Sequence, residues 1–509
     1  MSAPRGAASV GSGLAPAREA RPIREGERIH VVGAAGAGAS AAALLAYHSG
    51  AVVSGCDSGG PSPYTPPLEA AGIALDWAHS PEHVTRPPAP QRLAVTKALT
   101  AVDPNNSELA AAREALVPLE AWQQVIADAA VGRTLVGVAG THGKSTSSGW
   151  LVHVLTEAGL DPCGFVGALL PPSLTGGLSS TARWGGGAPF VVEADEYAGN
   201  FDPYRPDVTV LTSVEWDHPD VFADRAAVVG CLASWLERAA LSVPRPRVVA
   251  NVGDPGVAEI VGRGSRLGEI LPVALADASR GGAPGGADAA AYLVGTILTA
   301  DAAGTTLRLD GSALTAPLTV HIGLVGRHNA ANALGVAGAA LALGVPEASL
   351  APALGSFAGV ARRLERKGER RGVVVYDDYG HHPTAIRETL AALRQLEPGG
   401  RIWAVYEPLT YHRTAAMIGE FAAVLATADA VAVADIWASR DPDTSITSAS
   451  ALAEATARLR PGLTSVAPGS VEETAAWLAG EVRSGDAVLV MGGGKSYRIA
   501  ELLLETLRG

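Results

Sequence analysis

The segment TLVGVAGTHGKSTSSGW concentrates residues able to handle phosphate. The apolar run Thr134 to Val138 reads as a strand, Gly140, Thr141, His142 and Gly143 as a turn, and Lys144, Ser145 and Thr146 as the opening of a helix. Backbone N–H groups in such a turn cradle phosphate oxygens, a lysine adds a point charge, and a serine hydroxyl reaches a magnesium ion. The loop is one turn shorter than GxxxxGK[ST], because Val occupies position 138. Nucleotide binding is the reading preferred over a structural turn.

Two acidic clusters follow it. The apolar runs Phe190 to Val192 and Val208 to Leu211 end in Glu193, Asp195 and Glu196, and in Glu215, Asp217 and His218. Carboxylates where parallel strands stop sit beside such a loop, where a hard cation needs oxygen ligands. Any single one also fits a solvated loop. Asn329 and Asn332 stand three apart at a helix start, so both amides share a face. Asn can read an adenine edge, and a cap plus a packed polar residue accounts for the pair equally well. The run DDYGHHPT places Asp377 and Asp378 at a strand end and His381 and His382 before a helix. The double His lacks zinc spacing and suits orienting phosphates or sugars. Gly33, Gly36 and Gly38 make a second glycine turn, with Asp57 at the end of the next strand, 19 residues beyond Gly38. Glycines admit a diphosphate and the acid accepts from a ribose hydroxyl. The spacing is three then two, so the turn fits helix packing as well. It also leaves open a dinucleotide-dependent oxidoreductase, against which the GKS loop argues.

Positioning these groups takes alternating strands and helices. At 509 residues the chain is long enough for about three domains. The punctuation predicts an α/β protein with mostly parallel sheets: a disordered tail at 1–28, a Rossmann-like domain at 29–130, a central P-loop-type ATPase domain at 131–357 and a second Rossmann-like domain at 358–509. The Gly/Ala/Pro-rich run 281–290 reads as a surface loop. With 39 Lys+Arg against 51 Asp+Glu the net charge is −12, a poor match for nucleic acid or an anionic membrane. Residues 1–28 lack the apolar core of a signal peptide. The cysteines Cys56, Cys163 and Cys231 are far apart with no CxxC pair, which argues against disulfides or structural zinc and for a reducing cytoplasm.

Together, and in this order, the motifs resemble the Mur ligase family, ATP-dependent amide-forming enzymes of peptidoglycan precursor synthesis. The resemblance covers residues 29 to 509. GTHGKST, EADE from Glu193, Glu215 to His218, RHNAAN, DDYGHHPT and VLVMGGGKSY are most similar to the branch that joins L-alanine to the lactyl carboxylate of UDP-N-acetylmuramate through an acyl phosphate. It implies that Lys144 binds the β- and γ-phosphates of ATP, that Ser145 and Glu193 hold one Mg²⁺, and that Glu193 and His218 hold a second. It implies Asn329 and Asn332 at adenine, Arg363 and Asp378 where the third domain closes on ATP, and His381 and Arg413 at the muramyl carboxylate or transferred phosphate. The UDP-sugar is then expected at Gly33, Gly36, Gly38, Ser40, Asp57, Ser58, Asn106 and Glu108. Leu409 and Lys495 depart from that branch, and Tyr197 in EADEY resembles the branch that recycles a murein tripeptide onto the same UDP-sugar.

Overall fold

The computed structural model describes residues 10–276, 292–438, 441 and 443–508. The expected loop at 281–290 lies outside the described residues. Three sheets follow one another along the chain. In the first, the strands Ala74–Asp76, Val52–Cys56, Arg28–Val32, Arg92–Val95 and Leu119–Ala121 lie side by side in that order, all parallel. The helix Ala37–His48 covers one face with an almost unbroken row of buried Ala and Leu.

The second sheet has ten strands. Its parallel centre sets Thr134–Ala139 between Val208–Leu211 and Pro189–Ala194. These strands read as continuous apolar runs because helices bury them on both faces, and Val136, Val138, Val191, Val208 and Val210 are essentially inaccessible. The strand that feeds the GTHGKS turn thus has the two strands with acidic tips as its immediate neighbours. That adjacency, between residues about 50 to 75 positions apart, is what assembles the site.

The third sheet is ordered Glu365–Arg370, Val373–Asp378, Asp486–Gly492, Arg401–Glu407, Ala430–Ala434 and Thr464–Gly469, parallel except for its first pair. The two outer strands Glu365–Arg370 and Thr464–Gly469 carry no apolar run and were not anticipated from sequence. This mixed α/β architecture of three sheets agrees with the expected fold class.

The tail reading needs correction from residue 10 onward. Arg18 donates to Glu120 at 2.7 Å and to Asp128 at 2.7 Å, Arg21 donates to Glu27, and the buried Arg92 meets Glu27, Glu120 and Asp128. The segment has few apolar residues, and its arginines tie it down instead by pairing with carboxylates that the first sheet has already buried. Residues 1–9 lie outside the described residues.

Candidate active site

The turn at Gly140 to Gly143 owes its shape to two positive backbone angles, φ +128° at Gly140 and +81° at Gly143. A Cβ on Gly140 would meet Thr212 Oγ1 at 2.3 Å, and one on Gly143 would meet Asn332 Oδ1 at 2.4 Å. The neighbouring strand end locks the turn. Thr141 N donates to Ser213 O at 2.8 Å, His142 N to Ser213 Oγ at 3.0 Å, and Thr212 Oγ1 to His142 O at 2.6 Å. The amides of Thr141 and His142 are therefore spent inside the protein. The N–H groups left for an anion are those of Lys144, Ser145 and Thr146, which open the helix Lys144–Glu157 and lack partners within it.

Lys144 reaches across the acidic tip of the adjacent strand. Its Nζ lies 2.6 Å from Gly140 O, 2.9 Å from Glu196 and 3.5 Å from Asp195. Burial opposes the ammonium charge, but Glu196 and Asp195 outweigh it and hold the lysine above its usual range. Ser145 Oγ donates to Glu193 at 2.9 Å, and Gly167 N donates to the other Glu193 oxygen at 2.6 Å. Glu196 is 1% exposed and its Oε1 has no hydrogen-bond partner. Ligand atoms of Asp195, Glu196 and His218 lie within 4.8 Å of one another. An unpaired buried carboxylate oxygen among such donors fits a hard divalent cation. Among the described residues His218 gathers with Asp195 and Glu196, whereas it was expected to share an ion with Glu193.

A cavity of about 740 Å³ opens beside the turn. His142, Gly143, Ser145, Thr146, Asn329, Asn332, Arg363 and Asp378 all line it, so eight residues anticipated at a nucleotide converge on one space. Asn329 and Asn332 lie in the first turns of the helix Arg327–Ala342 and bond each other at 3.2 Å, with Asn329 also donating to Val325 O. Arg363 comes from the third region, donates to Ser145 Oγ at 2.9 Å and stacks over Tyr379. Asp378 does not face the cavity as a free anion: it accepts from Leu364 N at 2.8 Å and Gly380 N at 2.7 Å, and burial raises its pKa. It shapes the turn that presents Arg363.

The second acidic cluster behaves differently from the first. Asp217 is buried and accepts from Arg413 at 2.6 Å, and Arg413 also lies 3.2 Å from His218 Nδ1. Burial opposes the Asp217 charge, yet Arg413 holds it well below the carboxylate range. Glu215 meets His142 at 3.1 Å, and His382, its ring tilted against that of His142 at 4.6 Å, lies 3.7 Å from Glu215 and bonds Trp216 O. Burial again works against the charge, but the His142 and Thr384 hydrogen bonds and the nearby His382 bring Glu215 down to about 2. Burial and then His142 take His382 to about 4. Residues 215 to 218 thus latch the third region onto the second, and His218 is held there at φ +55°.

Arg413, expected at a substrate anion, is 4% exposed and committed to Asp217. His381 is kept neutral by burial and by Arg413. Its Nδ1 donates to Tyr379 O at 2.9 Å, which leaves Nε2 an acceptor. In the first region Ser40 is buried and hydrogen-bonded to Thr181 and Ala37 O. Asn106 caps the helix Ser107–Glu114, and Glu108 is fully buried among histidines. These three serve the interior and do not face a sugar. Gly33, Gly36, Asp57 and Ser58 remain at the carboxyl end of the first sheet, where Asp57 accepts from Ala35 N and Gly59 N. Gly38 packs under Trp122, whose ring a Cβ would meet at 2.2 Å.

Sequence reasoning missed Asn251 and Asp254, which also line the cavity. Asn251 ends the next parallel strand and donates to Thr212 O at 2.9 Å, while Asp254 caps the following helix. The NVGDP run was visible, but its nearness depends on strand order.

Comparison with known proteins agrees with this architecture. Residues 28–134 match "Mur ligase family, catalytic domain", 138–340 "Mur ligase middle domain" and 362–494 "Mur ligase, glutamate ligase domain". Over 485 residues the chain is 37% identical to the UDP-N-acetylmuramate-L-alanine ligase of Kineococcus radiotolerans, covering 94% of this chain and 96% of that one. It is 35% identical over 493 residues to the protein of the same name from Roseiflexus sp., covering 94% and 99%. Among solved structures, UDP-N-acetylmuramate-alanine ligase of Thermotoga maritima aligns with a TM-score of 0.75 at 23% identity over 94% of this chain and 99% of that one. A murein peptide ligase of Psychrobacter arcticus aligns with a TM-score of 0.69 at 23% identity over 95% and 99%. With three successive family matches along its length and relatives of this identity covering nearly all of it, the chain belongs to the Mur ligase family.

Proposed function

We propose that this protein is an ATP-dependent carboxylate-amine ligase that joins L-alanine to the lactyl carboxylate of UDP-N-acetylmuramate through an acyl phosphate. The observation that carries the reading is the junction at Ser145. This serine closes the phosphate turn, bonds Glu193 from the adjacent strand tip and receives Arg363 from the third region. Relatives bearing that ligase name over nearly the whole chain support the choice of substrates.

ATP would occupy the cavity with its base against Asn329 and Asn332 and its phosphates on the amides of Lys144, Ser145 and Thr146. Lys144 holds a positive charge where charge spreads over the transferred phosphoryl oxygens, the part of this reaction that fixed charges assist most. Ser145 and Glu193 would hold one Mg²⁺, and Asp195, Glu196 and His218 a second; the ions supply charge neutralisation. Arg363 brings the third region onto the same phosphates, so docking of that region sets the line of attack. The muramyl carboxylate takes the γ-phosphoryl group, the amine of L-alanine attacks the resulting carbonyl, and phosphate leaves. His381 Nε2, a neutral acceptor beside Arg413, is placed to take the proton the amine gives up. The UDP-sugar would lie along Gly33, Gly36, Asp57 and Ser58, with residues 29–130 as its domain, 131–357 as the ATP domain and 358–509 as the closing domain. Absence of any helix long and apolar enough to cross a membrane among the described residues accords with a cytoplasmic site of action.

The test is ADP release on mixing ATP, Mg²⁺ and UDP-N-acetylmuramate with single amino acids or with a murein tripeptide. Release that requires L-alanine is the expected outcome. Release that requires the tripeptide would move the assignment to the recycling branch, which the EADEY form with Tyr197 resembles; the Tyr197 ring lies tilted 4.7 Å from that of His218 and its hydroxyl donates to Asp220.

A further inference from the structure

On the face of the first sheet that carries Val32, five titratable side chains that the proposed reaction does not use come together: His30, Cys56, His79, His83 and Glu108. His30 Nε2 lies 2.9 Å and His83 Nδ1 3.1 Å from Glu108 Oε1. Cys56 Sγ lies 3.2 Å from Glu108 Oε2, and His79 Nδ1 3.3 Å from that sulfur. Ligand atoms of His30, Cys56, His83 and Glu108 all fall within 4.8 Å of one another. The side chains of His30 and Glu108 are 3% and 0% exposed, so water does not screen the group.

The outer nitrogens of two of these histidines are already occupied. His83 Nε2 is 3.2 Å from Asp76 Oδ2, and His30 Nδ1 is 2.8 Å from Ser54 Oγ. A carboxylate only accepts, so without an ion His83 donates to Asp76 or to Glu108, whereas an ion at the centre would leave its proton on Nε2, held by Asp76, and its Nδ1 lone pair turned inward. His30 Nε2 makes no hydrogen bond although Glu108 Oε1 is 2.9 Å away, and it is shut off from solvent. Its Nδ1 shares a hydrogen bond with Ser54 Oγ, and with the proton on Nδ1 the inner nitrogen is free to bind an ion. A buried imidazole nitrogen without a hydrogen bond, beside a second imidazole, a thiol and a carboxylate that converge on one point, makes a donor set suited to a cation.

We propose that His30 Nε2, Cys56 Sγ, His83 Nδ1 and Glu108 bind one divalent transition-metal ion, zinc by the softness of the donor set, with His79 at the rim. Zinc bonds of 2.0 to 2.3 Å separate tetrahedral ligand atoms by about 3.3 to 3.7 Å, a few tenths of an ångström wider than the 2.9 to 3.2 Å that separate Glu108 from His30, His83 and Cys56. A thiolate and a carboxylate neutralise the ion, and the Cys56 proton passes to solvent on binding. Outer partners at Ser54 and Asp76 reproduce the arrangement by which proteins aim metal-binding histidines. No short motif announces the site, because its ligands come from the strands Arg28–Val32 and Val52–Cys56 and the helices Glu82–Thr85 and Ser107–Glu114. An ion there would pin these segments together beneath the sheet.

The full-length protein, purified without chelator, is assayed for metal by mass spectrometry, then stripped and titrated with zinc and cobalt. The expected result is one zinc per chain, a thiolate-to-cobalt charge-transfer band, loss of that band in Cys56→Ser, and zinc affinity 10- to 100-fold weaker in Asp76→Asn, as for loss of a partner that orients a ligand. No stoichiometric metal and no charge-transfer band would overturn the proposal in favour of a hydrogen-bonded cluster. A band of full strength in Cys56→Ser, or zinc affinity unmoved in Asp76→Asn, would overturn it by placing the ion elsewhere. If Cys56→Ser does not fold, the wild-type cobalt spectrum and Asp76→Asn decide the matter.

Discussion

The chain contains two strand-glycine-helix turns, Gly33 to Gly38 and Gly140 to Gly143, which look alike as sequence and differ in what surrounds them. Around the first, the room left by missing side chains is taken by Trp122 at Gly38 and by the Thr96 methyl at Gly33, 2.6 Å from where a Cβ would stand. Around the second the neighbours are polar, Thr212 Oγ1 and Asn332 Oδ1, and Lys144 follows with two carboxylates at its Nζ. A glycine turn at a sheet's carboxyl end shows only that the backbone needs freedom. Charge converging from adjacent strands is what suits the second turn to phosphate.

The sharpest way to break this contrast is at Lys144. Lys144→Ala removes the ammonium proposed to face the transferred phosphoryl group and should lower kcat by on the order of 10³-fold, with little loss of helix. Steady-state ADP release checks it, and near wild-type turnover would reduce the second turn to the status of the first. Next in size is the latch. Arg413→Met leaves Asp217 buried without its cation, a situation that costs about 3 to 5 kcal/mol. Docking of the third region should weaken and substrate KM values rise, while the Lys144 turn itself stays formed. Replacing both residues, Arg413→Met with Asp217→Leu, should recover stability but not activity.

Acid should act on the same latch. His382 is depressed to about 4 from 6.5, so its folded form resists a proton that the unfolded chain accepts. Its contribution is complete above pH 6.5 and is lost as pH falls toward 4. Glu215, depressed to about 2 from 4.5, contributes fully above pH 4.5 and loses that contribution as pH falls toward 2. Thermal stability should therefore fall in two overlapping steps below pH 6.5, and His382→Gln should reduce the upper one. His381 and His328, also depressed by burial, contribute to the same step, so the variant should shrink it without erasing it, and an unchanged upper step would remove His382 from the account.

The two turns also mark how far sequence carries. Strand, turn and helix around Gly140 were legible because apolar runs and glycine punctuation are local. The acidic tips were legible as types, since Glu193 and Glu215 end apolar runs. Their allocation was not: Glu196 in place of Glu193 joins His218, and Asp217 and Arg413 pair with each other, outcomes set by side-chain reach across the sheet. Asn251 and Asp254 escaped because only strand order brings them to the cavity. Asn106 and Glu108 were misread as ligand contacts because a polar side chain in sequence carries no sign of whether it points out or in. The strands Glu365–Arg370 and Thr464–Gly469 lie at sheet edges, half wet, and lack the pattern that betrays central strands. Residues 10–27 were misjudged because arginine pairing needs partners over 100 positions away.

Smaller effects sharpen the contrast from the side of the first turn. Gly38→Ala drives a methyl into the Trp122 ring and should cost about 1 to 3 kcal/mol through overpacking, read as a lower melting temperature with KM for ATP unchanged. Ser40→Ala tests the same turn more gently. Ser40 is buried and its hydroxyl bonds Thr181 across the boundary between the first and second sheets, so its loss should cost about 0.5 to 1.5 kcal/mol. Because that hydroxyl faces Thr181 and Ala37 O, KM for the UDP-sugar should stay within about twofold of the wild type, well under the tenfold that corresponds to about 1.4 kcal/mol of binding. A tenfold rise in that KM with an unchanged melting temperature would mean that Ser40 turns outward when the sugar binds, and the first turn would then count as a ligand site in the same sense as the second.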